Sequence, residues 1–196
     1  MAEVARAAWS AQEFFAWQER QQDRYELVDG QPLRRIAGCG NVHNDVVINV
    51  VIALGNRLAD SPCRLFNGDC SAETKPGQIR RPVIGVECGP RKAEALKAEH
   101  PRLVAEVLSP TTRDFDTFAK VEEYKLIEGL RRILLIDPNR PHLTMWARDG
   151  DGGWSRTEAE GLDATIDCPE IGAVLPLAEV YRRIDFPTVL RLVPGE

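Results

Sequence analysis

The chain of 196 residues has none of several patterns that place a protein in a class at once. No apolar run approaches the roughly 18 residues that a membrane-spanning helix needs, and the N-terminus lacks a signal-peptide pattern. The five cysteines are scattered without a CxxC pair, so the sequence predicts neither a disulfide framework nor a zinc site. The glycine patterns of dinucleotide-binding and P-loop enzymes are also absent. We therefore expect a cytoplasmic protein without a membrane span, and not a nucleotide-cofactor enzyme.

The composition that is present is typical of a folded domain. Hydrophobic residues make up 43% of the chain and charged residues 28%, which argues against disorder. The length suits one domain with a core of its own, which we expect over residues 10–185, between a flexible leader (1–9) and a C-terminal tail (186–196). The net charge of −5 repels phosphate, so a nucleic-acid partner would have to be held by a local basic patch.

The most informative stretch begins with an apolar run at residues 103–108, which predicts a buried central strand. One carboxylate, Glu106, lies inside this run. An ionised carboxylate in a packed strand is costly unless a metal, a cation or hydrogen-bond donors receive it. Glu106 therefore either faces water from an edge strand or points into a polar pocket at the end of a sheet. The residues that follow favour the pocket.

A helix is predicted directly after this strand. Residues 109–110 end the strand, and Thr112 can cap a helix with an acidic first turn. Lys120 and Tyr124 then lie one helical turn apart on the same face. A carboxylate at the end of a strand with a lysine on the next helix is a plausible pair for a metal-dependent hydrolase. The alternative for Lys120 is an exposed lysine paired with a neighbouring acid, Asp116 or Glu123.

Periodicity and turn residues predict the remaining elements. A capping box that begins at Ser10 predicts a helix to residue 20, and Asp29-Gly30 predicts the turn of a hairpin over 24–36. Asn41 can cap a second helix, which an apolar stripe over residues 46–58 predicts. Further strands are predicted at 64–66, 70–74, 82–88, 132–136 and 143–147, and a short last helix at 176–181. These elements make one α/β or α+β domain, a mixed sheet flanked by helices.

Several polar positions remain open between a structural and a functional role. Glu26 stands between apolar neighbours in the first hairpin strand, and His43 lies in the first turn of the second helix. Either side chain can be an ordinary surface group. The basic pairs are candidate phosphate contacts, with solvated surface as the alternative. They are Arg34-Arg35, Arg80-Arg81, Arg91-Lys92 and Arg131-Arg132.

Four blocks of sequence together resemble one known family. They are YELVDG (25–30), RRP-x-xGVECG (80–89), EVLSPTTRDFDTFAKVEEY (106–124) and LLIDP (134–138). Their order and spacing are similar to those of the Uma-two family, restriction-endonuclease-like proteins of the PD-(D/E)XK nuclease superfamily. The resemblance covers roughly residues 10–180. The block at 106–124 is long and specific, whereas YELVDG alone is a weak signal.

The resemblance implies a restriction-endonuclease-like core that holds a divalent metal, Mg²⁺ or Mn²⁺, and hydrolyses DNA. It implies that Glu106 is the acidic metal ligand and that Glu26 is the acidic residue supplied by an early element. The usual superfamily lysine falls on Leu108, and Lys120 on the following helix matches the place to which this family has moved it. Tyr124 belongs to the same block. A homodimer is implied by analogy with nucleases that cut both strands.

One position departs from the family pattern. The remaining metal ligand should be the Asp of a Pro-Asp pair, but Pro82 is followed by Val83. We expect position 83 beside Glu106, on a parallel neighbouring strand that faces the same pocket. Loss of this carboxylate leaves two hypotheses. The chain is either a metal-dependent DNA endonuclease with a weakened site, or an inactive descendant of the nuclease fold that binds nucleic acid or a protein partner.

Overall fold

The computed structural model describes residues 8–35, 40–109 and 116–186. The helices among these residues are α1 (Ala11–Gln18), α2 (Asn41–Leu58), α3 (Asp116–Lys125) and α4 (Leu177–Val180), with a 3-10 turn at Pro169–Ile171. The strands are β1 (Tyr25–Val28), β2 (Gln31–Arg34), β3 (Cys63–Asn67), β4 (Ala72–Lys75), β5 (Gln78–Arg80), β6 (Ile84–Cys88), β7 (Pro101–Val107), β8 (Arg132–Asp137), β9 (His142–Arg148), β10 (Trp154–Glu160), β11 (Thr165–Cys168) and β12 (Ala173–Pro176). None of the described helices combines the length and the hydropathy of a membrane span.

A six-stranded mixed sheet forms the centre of the fold, in the order β10-β9-β8-β7-β6-β3. The pair β7–β8 is parallel and the other pairs are antiparallel. The predicted mixed sheet flanked by helices is confirmed. Because β7 lies between two neighbours, the edge-strand interpretation of Glu106 is wrong. The parallel alignment expected for position 83 is also wrong, because β6 and β7 run antiparallel.

The two faces of this sheet bury different clusters, which follow the alternation of side chains along β7. Leu103, Ala105 and Val107 belong to a cluster with buried residues of α2, α4 and the β11–β12 hairpin. Val104 belongs to a second cluster with Val121 and Tyr124 of α3. Glu106 follows the even positions and therefore points to the α3 side. The functional candidates are thus set apart from the larger cluster.

A smaller antiparallel sheet, in the order β2-β1-β5-β4, lies near α3 and carries Glu26 on β1. The hairpin predicted for β1 and β2 is confirmed: Asp29 and Gly30 both have positive φ, 47° and 74°, as a tight two-residue hairpin turn requires. The predicted capping box is also present, because Ser10 accepts from the Glu13 amide and Glu13 accepts from Ser10. Phe14 of α1 packs with Leu27 of β1 and Ile79 of β5 in a third cluster.

Three details differ from the sequence predictions. Helix α2 begins one residue earlier than predicted: Asn41, the expected cap, is its first residue, and Gly40 is the N-cap. Strand β5 was not predicted, because three residues with polar ends are too few to show the alternation of apolar and polar side chains that is typical of a strand. Cys63 and Cys88 form a disulfide, although no disulfide framework was expected. They are partners across β3 and β6, a proximity that their separation of 25 residues in sequence does not reveal.

Three sequence predictions concern residues outside the described ranges, in whole or in part. Most of the predicted leader and of the predicted tail lies outside the described residues, as does Thr112. The side chain of Asp116, one predicted partner of Lys120, is also outside them.

Candidate active site

The candidate site lies at the C-terminal end of β7, between the central sheet, the smaller sheet and α3. Glu106 is the second-last residue of β7, and its side chain is only 11% exposed. Val104, Ile133 and Leu135 lie on the same face and are buried apolar residues. A carboxylate in these surroundings needs polar partners, because an unpaired buried charge is strongly destabilising.

Tyr124 supplies the shortest contact to Glu106. The phenol of Tyr124 donates a hydrogen bond of 2.7 Å to Oε1 of Glu106, and the tyrosine is fully buried. Burial, and then the neighbouring charge of Glu106, raise the pKa of Tyr124 well above its usual value. The phenol therefore remains a proton donor over the whole physiological range, and it fixes one oxygen of Glu106 in place.

Lys120 lies between two carboxylates. Its Nζ is 4.0 Å from Oε1 of Glu106 and 3.4 Å from Oε1 of Glu26. Burial alone would lower the pKa of this amine, but Glu106 and Glu26 raise it. Lys120 is consequently a charged ammonium held on the α3 side of the sheet. The alternative of an exposed lysine paired with Glu123 does not fit, because Lys120 is only 22% exposed and its ammonium lies against Glu26 and Glu106.

Glu26 is held by three donors. Its Oε1 accepts from the Arg81 amide at 2.9 Å and lies near Lys120, and its Oε2 pairs with Nη1 of Arg80 at 2.9 Å. The pairing of Leu27 with Ile79, carried one residue further along both strands, brings Glu26 opposite Arg80. Burial opposes ionisation, but Lys120, the Arg81 amide and Arg80 hold the pKa of Glu26 below its usual value.

Arg80 joins the smaller sheet to α3. Its Nε and Nη2 donate to the two carboxylate oxygens of Glu123 at 2.6 and 2.7 Å, while Nη1 binds Glu26. A bidentate pair of this kind fixes orientation as well as charge. Sequence reasoning missed this role, since it treated Arg80-Arg81 as candidate phosphate contacts. Both side chains are buried: Arg81 donates to the backbone oxygens of Tyr25 and Asp69.

Position 83 lies one residue before β6. The register that pairs Ile84 with Ala105 brings Val83 opposite Glu106 when it is extended by one residue. The valine is partly buried and packs against the cluster on the α2 side. Glu87, at the other end of β6, pairs with Arg64 at 3.0 Å and is no substitute for a carboxylate at position 83.

Other sequence candidates fall outside this group. The Nε2 atom of His43, on α2, lies 3.1 Å from the backbone oxygen of Val107, the last residue of β7. The ring is therefore on the opposite side of the sheet from Lys120 and Tyr124. Arg132 was a candidate phosphate contact, but it is largely buried and pairs with Glu170 at 3.4 Å. Asp114, which is in the acidic first turn predicted for α3, lies outside the described residues.

Two carboxylates of the site are chemically suited to bind a divalent metal. Glu106 and Glu26 are hard oxygen donors, and Mg²⁺ is commonly held by one or two carboxylates together with water and substrate phosphate. The two residues therefore fit such an ion. Glu106 is the better placed, because both oxygens of Glu26 already have cationic or amide partners. Within the described residues, no group of three or more His, Cys, Asp or Glu side chains is arranged to hold a metal.

Comparison with known proteins gives the family. A family model described as "Putative restriction endonuclease", Uma2, matches residues 11–178. The chain belongs to the Uma2 family. Two uncharacterised proteins of Synechocystis sp. are similar to this Uma2 chain. One is 26% identical over 179 residues, covering 90% of this chain and 93% of its own. The other is 27% identical over 163 residues, covering 81% and 91%.

A solved structure supports the fold of this Uma2 protein. It is the crystal structure of "a putative nuclease belonging to DUF820" from Anabaena variabilis, with a TM-score of 0.66 and 16% sequence identity. The alignment covers 87% of this chain and 96% of the other. The predicted family and the restriction-endonuclease-like fold are thereby confirmed. The catalytic and metal-binding roles of individual side chains stay predictions.

Proposed function

We propose that this Uma2 protein is a metal-dependent endonuclease that hydrolyses DNA phosphodiester bonds, with a metal affinity that Val83 lowers. The observation that carries the proposal is the convergence of Glu106, Lys120 and Tyr124 at the end of β7, with Glu26 beside them. Glu106 offers an oxygen ligand for a metal and Lys120 a positive charge for a phosphate, which are two of the groups that such hydrolysis uses. Their burial beside apolar side chains is costly, which favours a functional reason for retaining them.

Each residue has a distinct role in this proposal. Glu106, and less readily Glu26, would hold Mg²⁺ or Mn²⁺. The bound ion supplies positive charge to the scissile phosphate and lowers the pKa of an attacking water. Lys120, held as an ammonium, donates to a phosphate oxygen. Tyr124 donates a hydrogen bond to Oε1 of Glu106 and so fixes the orientation of the carboxylate. Oε2 would then be the oxygen that binds the metal.

The partner and the compartment are further parts of the proposal. DNA would be held by exposed basic side chains, since the net charge of −5 gives no general attraction. Arg91-Lys92 and Arg34 are the members of the predicted basic pairs that are exposed. A homodimer would allow both strands to be cut. In a cytoplasmic location, Cys63 and Cys88 would be kept reduced by the thiol pool.

An inactive nuclease-fold protein that binds nucleic acid or a protein partner is the second candidate. Two observations favour it. Val83 is apolar where the family pattern has an acid, and Arg80 already neutralises Glu26. Loss even of groups that only support metal ligands costs about 10–100-fold in affinity, so loss of a ligand should cost at least as much.

Cleavage of supercoiled plasmid separates the two candidates. The wild type is expected to nick the plasmid with millimolar Mn²⁺ or Mg²⁺ and not with EDTA, and Glu106→Ala is expected to abolish nicking. Calorimetry with each ion on both proteins gives the metal affinity independently of cleavage. Glu122→Gln is a matched control, because Glu122 is a half-exposed acid of α3 that forms an ion pair with Lys125, outside the candidate site.

Lys120→Met tests the role of the lysine, with Lys125→Met on the same helix as its control. We expect at least a hundredfold loss of nicking for Lys120→Met and little change for Lys125→Met. Equal activity of wild type and Glu106→Ala would contradict the role proposed for Glu106. Absence of both metal binding and nicking in the wild type would leave the inactive nuclease fold as the better description.

A further inference from the structure

A cavity with aromatic walls lies between α1 and the β1–β2 hairpin. Its volume is about 610 Å³, and its lining includes Trp9, Trp17, Tyr25, Gln31 and Pro32. This volume is within the range of small-molecule sites. The rings of Trp9 and Trp17 meet edge to face, with centroids 5.3 Å apart and planes at 83°. Trp17 and Tyr25 meet in the same way, at 4.7 Å and 73°. Trp17 is therefore in edge-to-face contact with a second aromatic ring on each side.

The aromatic walls are held by the core beneath them. Trp9, Trp17 and Tyr25 all pack against the cluster of Phe14, Leu27 and Ile79, while each remains partly exposed. In addition, the Trp9 amide donates to the Gly30 oxygen at 3.0 Å, which ties the start of α1 to the hairpin turn. A ligand would thus meet aromatic side chains that are already in position, and would lose little affinity to ordering them.

One carboxylate completes the lining. Glu13 lies one helical turn before Trp17, and its Oε2 accepts from the amide and the hydroxyl of Ser10 at 2.8 and 2.7 Å. Those two hydrogen bonds from Ser10 lower the pKa of Glu13, so the side chain is an anion at neutral pH. The capping box therefore fixes a negative charge at the rim of an aromatic cavity.

We propose that this cavity binds a methylated or quaternary ammonium group. Aromatic rings attract a cation through the ring quadrupole, and clustered aromatic side chains are the usual means of recognising quaternary ammonium groups. The methyl groups cover the apolar walls, while Glu13 supplies the opposite charge. The carboxylate disfavours a phosphate-bearing ligand, so the cavity is not a second contact for a nucleic-acid backbone.

The cavity is separate from the candidate active site. Tyr25 and Glu26 are consecutive residues of β1, so their side chains point to opposite faces of that strand. Tyr25 faces α1 and Trp17, and Glu26 faces Arg80 and Lys120. The proposal therefore does not depend on nuclease activity, and its failure would leave the proposed function unchanged.

Choline and its neutral isostere 3,3-dimethylbutan-1-ol test the charge requirement, because the two molecules have nearly the same shape. Binding to the full-length chain is measured by calorimetry, and the indole N–H signals of Trp9 and Trp17 are followed by NMR. We expect choline to bind at least tenfold more tightly and to shift these two indole signals. Trp146 and Trp154, on β9 and β10, serve as internal controls.

Glu13→Gln is the matched variant, since glutamine also occupies this position of a capping box and so keeps the helix start while removing the charge. It is expected to weaken choline binding at least threefold and to leave the thermal midpoint nearly unchanged. Equal affinity for choline and the isostere, no shift of the two indole signals, or an unaltered affinity in a folded Glu13→Gln variant would each overturn the proposal. A peptide with trimethyllysine then distinguishes the source: tighter binding than choline indicates a methylated protein, and equal binding a small ammonium compound.

Discussion

Position 83 bears directly on the proposed metal site, because the family resemblance implies an acid there. The register extended from β6 and β7 brings its backbone opposite Glu106, and opposed residues of antiparallel strands have their Cα atoms about 4.5–5.5 Å apart. The valine side chain packs with the cluster on the α2 side, whereas Glu106 binds Tyr124 on the α3 side, so an acid at position 83 would have to turn towards α3 to share a metal with Glu106. Valine offers no oxygen, and its apolar contacts contribute to stability.

We expect Val83→Asp to raise the affinity for Mg²⁺ or Mn²⁺ by at least about tenfold, which is roughly 1.4 kcal/mol. Without metal, the variant should be less stable than the wild type by about 1–3 kcal/mol, because it loses apolar packing and adds a charge near Glu106. Calorimetry and denaturant unfolding measure the two effects. Metal-dependent cleavage by the wild type that Val83→Asp fails to improve would show that another residue has taken over the ligand role.

At the scale of elements, the attachment of α3 to the smaller sheet depends on Arg80. This arginine binds Glu26 of β1 and Glu123 of α3, and all three side chains are at least four-fifths buried. Removing one partner of such a network leaves buried charges without compensation. Helix α3, which carries Lys120 and Tyr124, packs on the central sheet but is also held by Arg80 of the smaller sheet.

Arg80→Met is expected to lower the free energy of unfolding by about 3–5 kcal/mol, since Glu26 and Glu123 would lose their shared cation. Arg24→Met is the control: Arg24 pairs with Asp69, both are about half exposed or more, and the expected loss is below about 1 kcal/mol. Urea unfolding followed by circular dichroism measures both. Similar losses in the two variants would mean that the Arg80 network contributes no more than a surface pair.

The disulfide between Cys63 and Cys88 links two neighbouring strands, β3 and β6, by a covalent bond. Closing a loop of 25 residues stabilises the fold by about 3 kcal/mol in the chain-entropy description. Reduction with dithiothreitol should therefore lower the urea midpoint of the wild type and leave that of a Cys63→Ala/Cys88→Ala variant unchanged. An identical midpoint with and without reductant in the wild type would indicate that the two thiols are not joined in solution.

The sequence predicted the elements that have a local pattern and missed the features that depend on contacts between distant segments. Strand β7 has a continuous apolar run, and α1 has a capping box, so both were predicted from local pattern. Strand β5 and the Cys63–Cys88 pair depend on which strands become neighbours, and no local pattern records this. The basic pair at 80–81 was interpreted as a phosphate contact or as solvated surface, because charge along the chain does not show what lies opposite it in space.

The same limit applies to the candidate site. Glu106, Lys120 and Tyr124 were found because they lie within 19 residues of sequence and the family motif contains all three. Glu26 required the resemblance, since a single acid between apolar residues has two equally good interpretations. Arg80 and Glu123, which hold Glu26 and α3 together, were not predicted because they meet only after two sheets and a helix have packed.

At the scale of the whole molecule, the distribution of charge makes stability depend on pH. Burial opposes ionisation of Glu26, Glu73 and Glu123, yet in each case cationic or amide partners hold the pKa below the usual value. A group with a lowered pKa in the folded state stabilises it above the ordinary pKa, and this contribution is lost as the pH falls through the folded-state value. Stability should therefore decrease on the acid side.

We expect the thermal midpoint to be nearly constant around neutral pH and to fall progressively below about pH 4.5, the ordinary pKa of a glutamate. On the alkaline side, Tyr124 must stay neutral in the folded state, so stability should also fall once tyrosines of the unfolded chain ionise, near pH 10. Calorimetric scans from pH 3 to pH 11 at constant ionic strength test this profile. A midpoint that rises as the pH is lowered to about 4 would contradict the assignment of ionised, paired glutamates.

The packing of Val83 has a consequence for anyone who redesigns this position. An acid at position 83 loses the apolar contacts on the α2 side whether or not a metal is bound. Val83→Asp should therefore be better tolerated in a background that a second, distant substitution has already stabilised, because the effects of well-separated substitutions on the free energy of unfolding usually add.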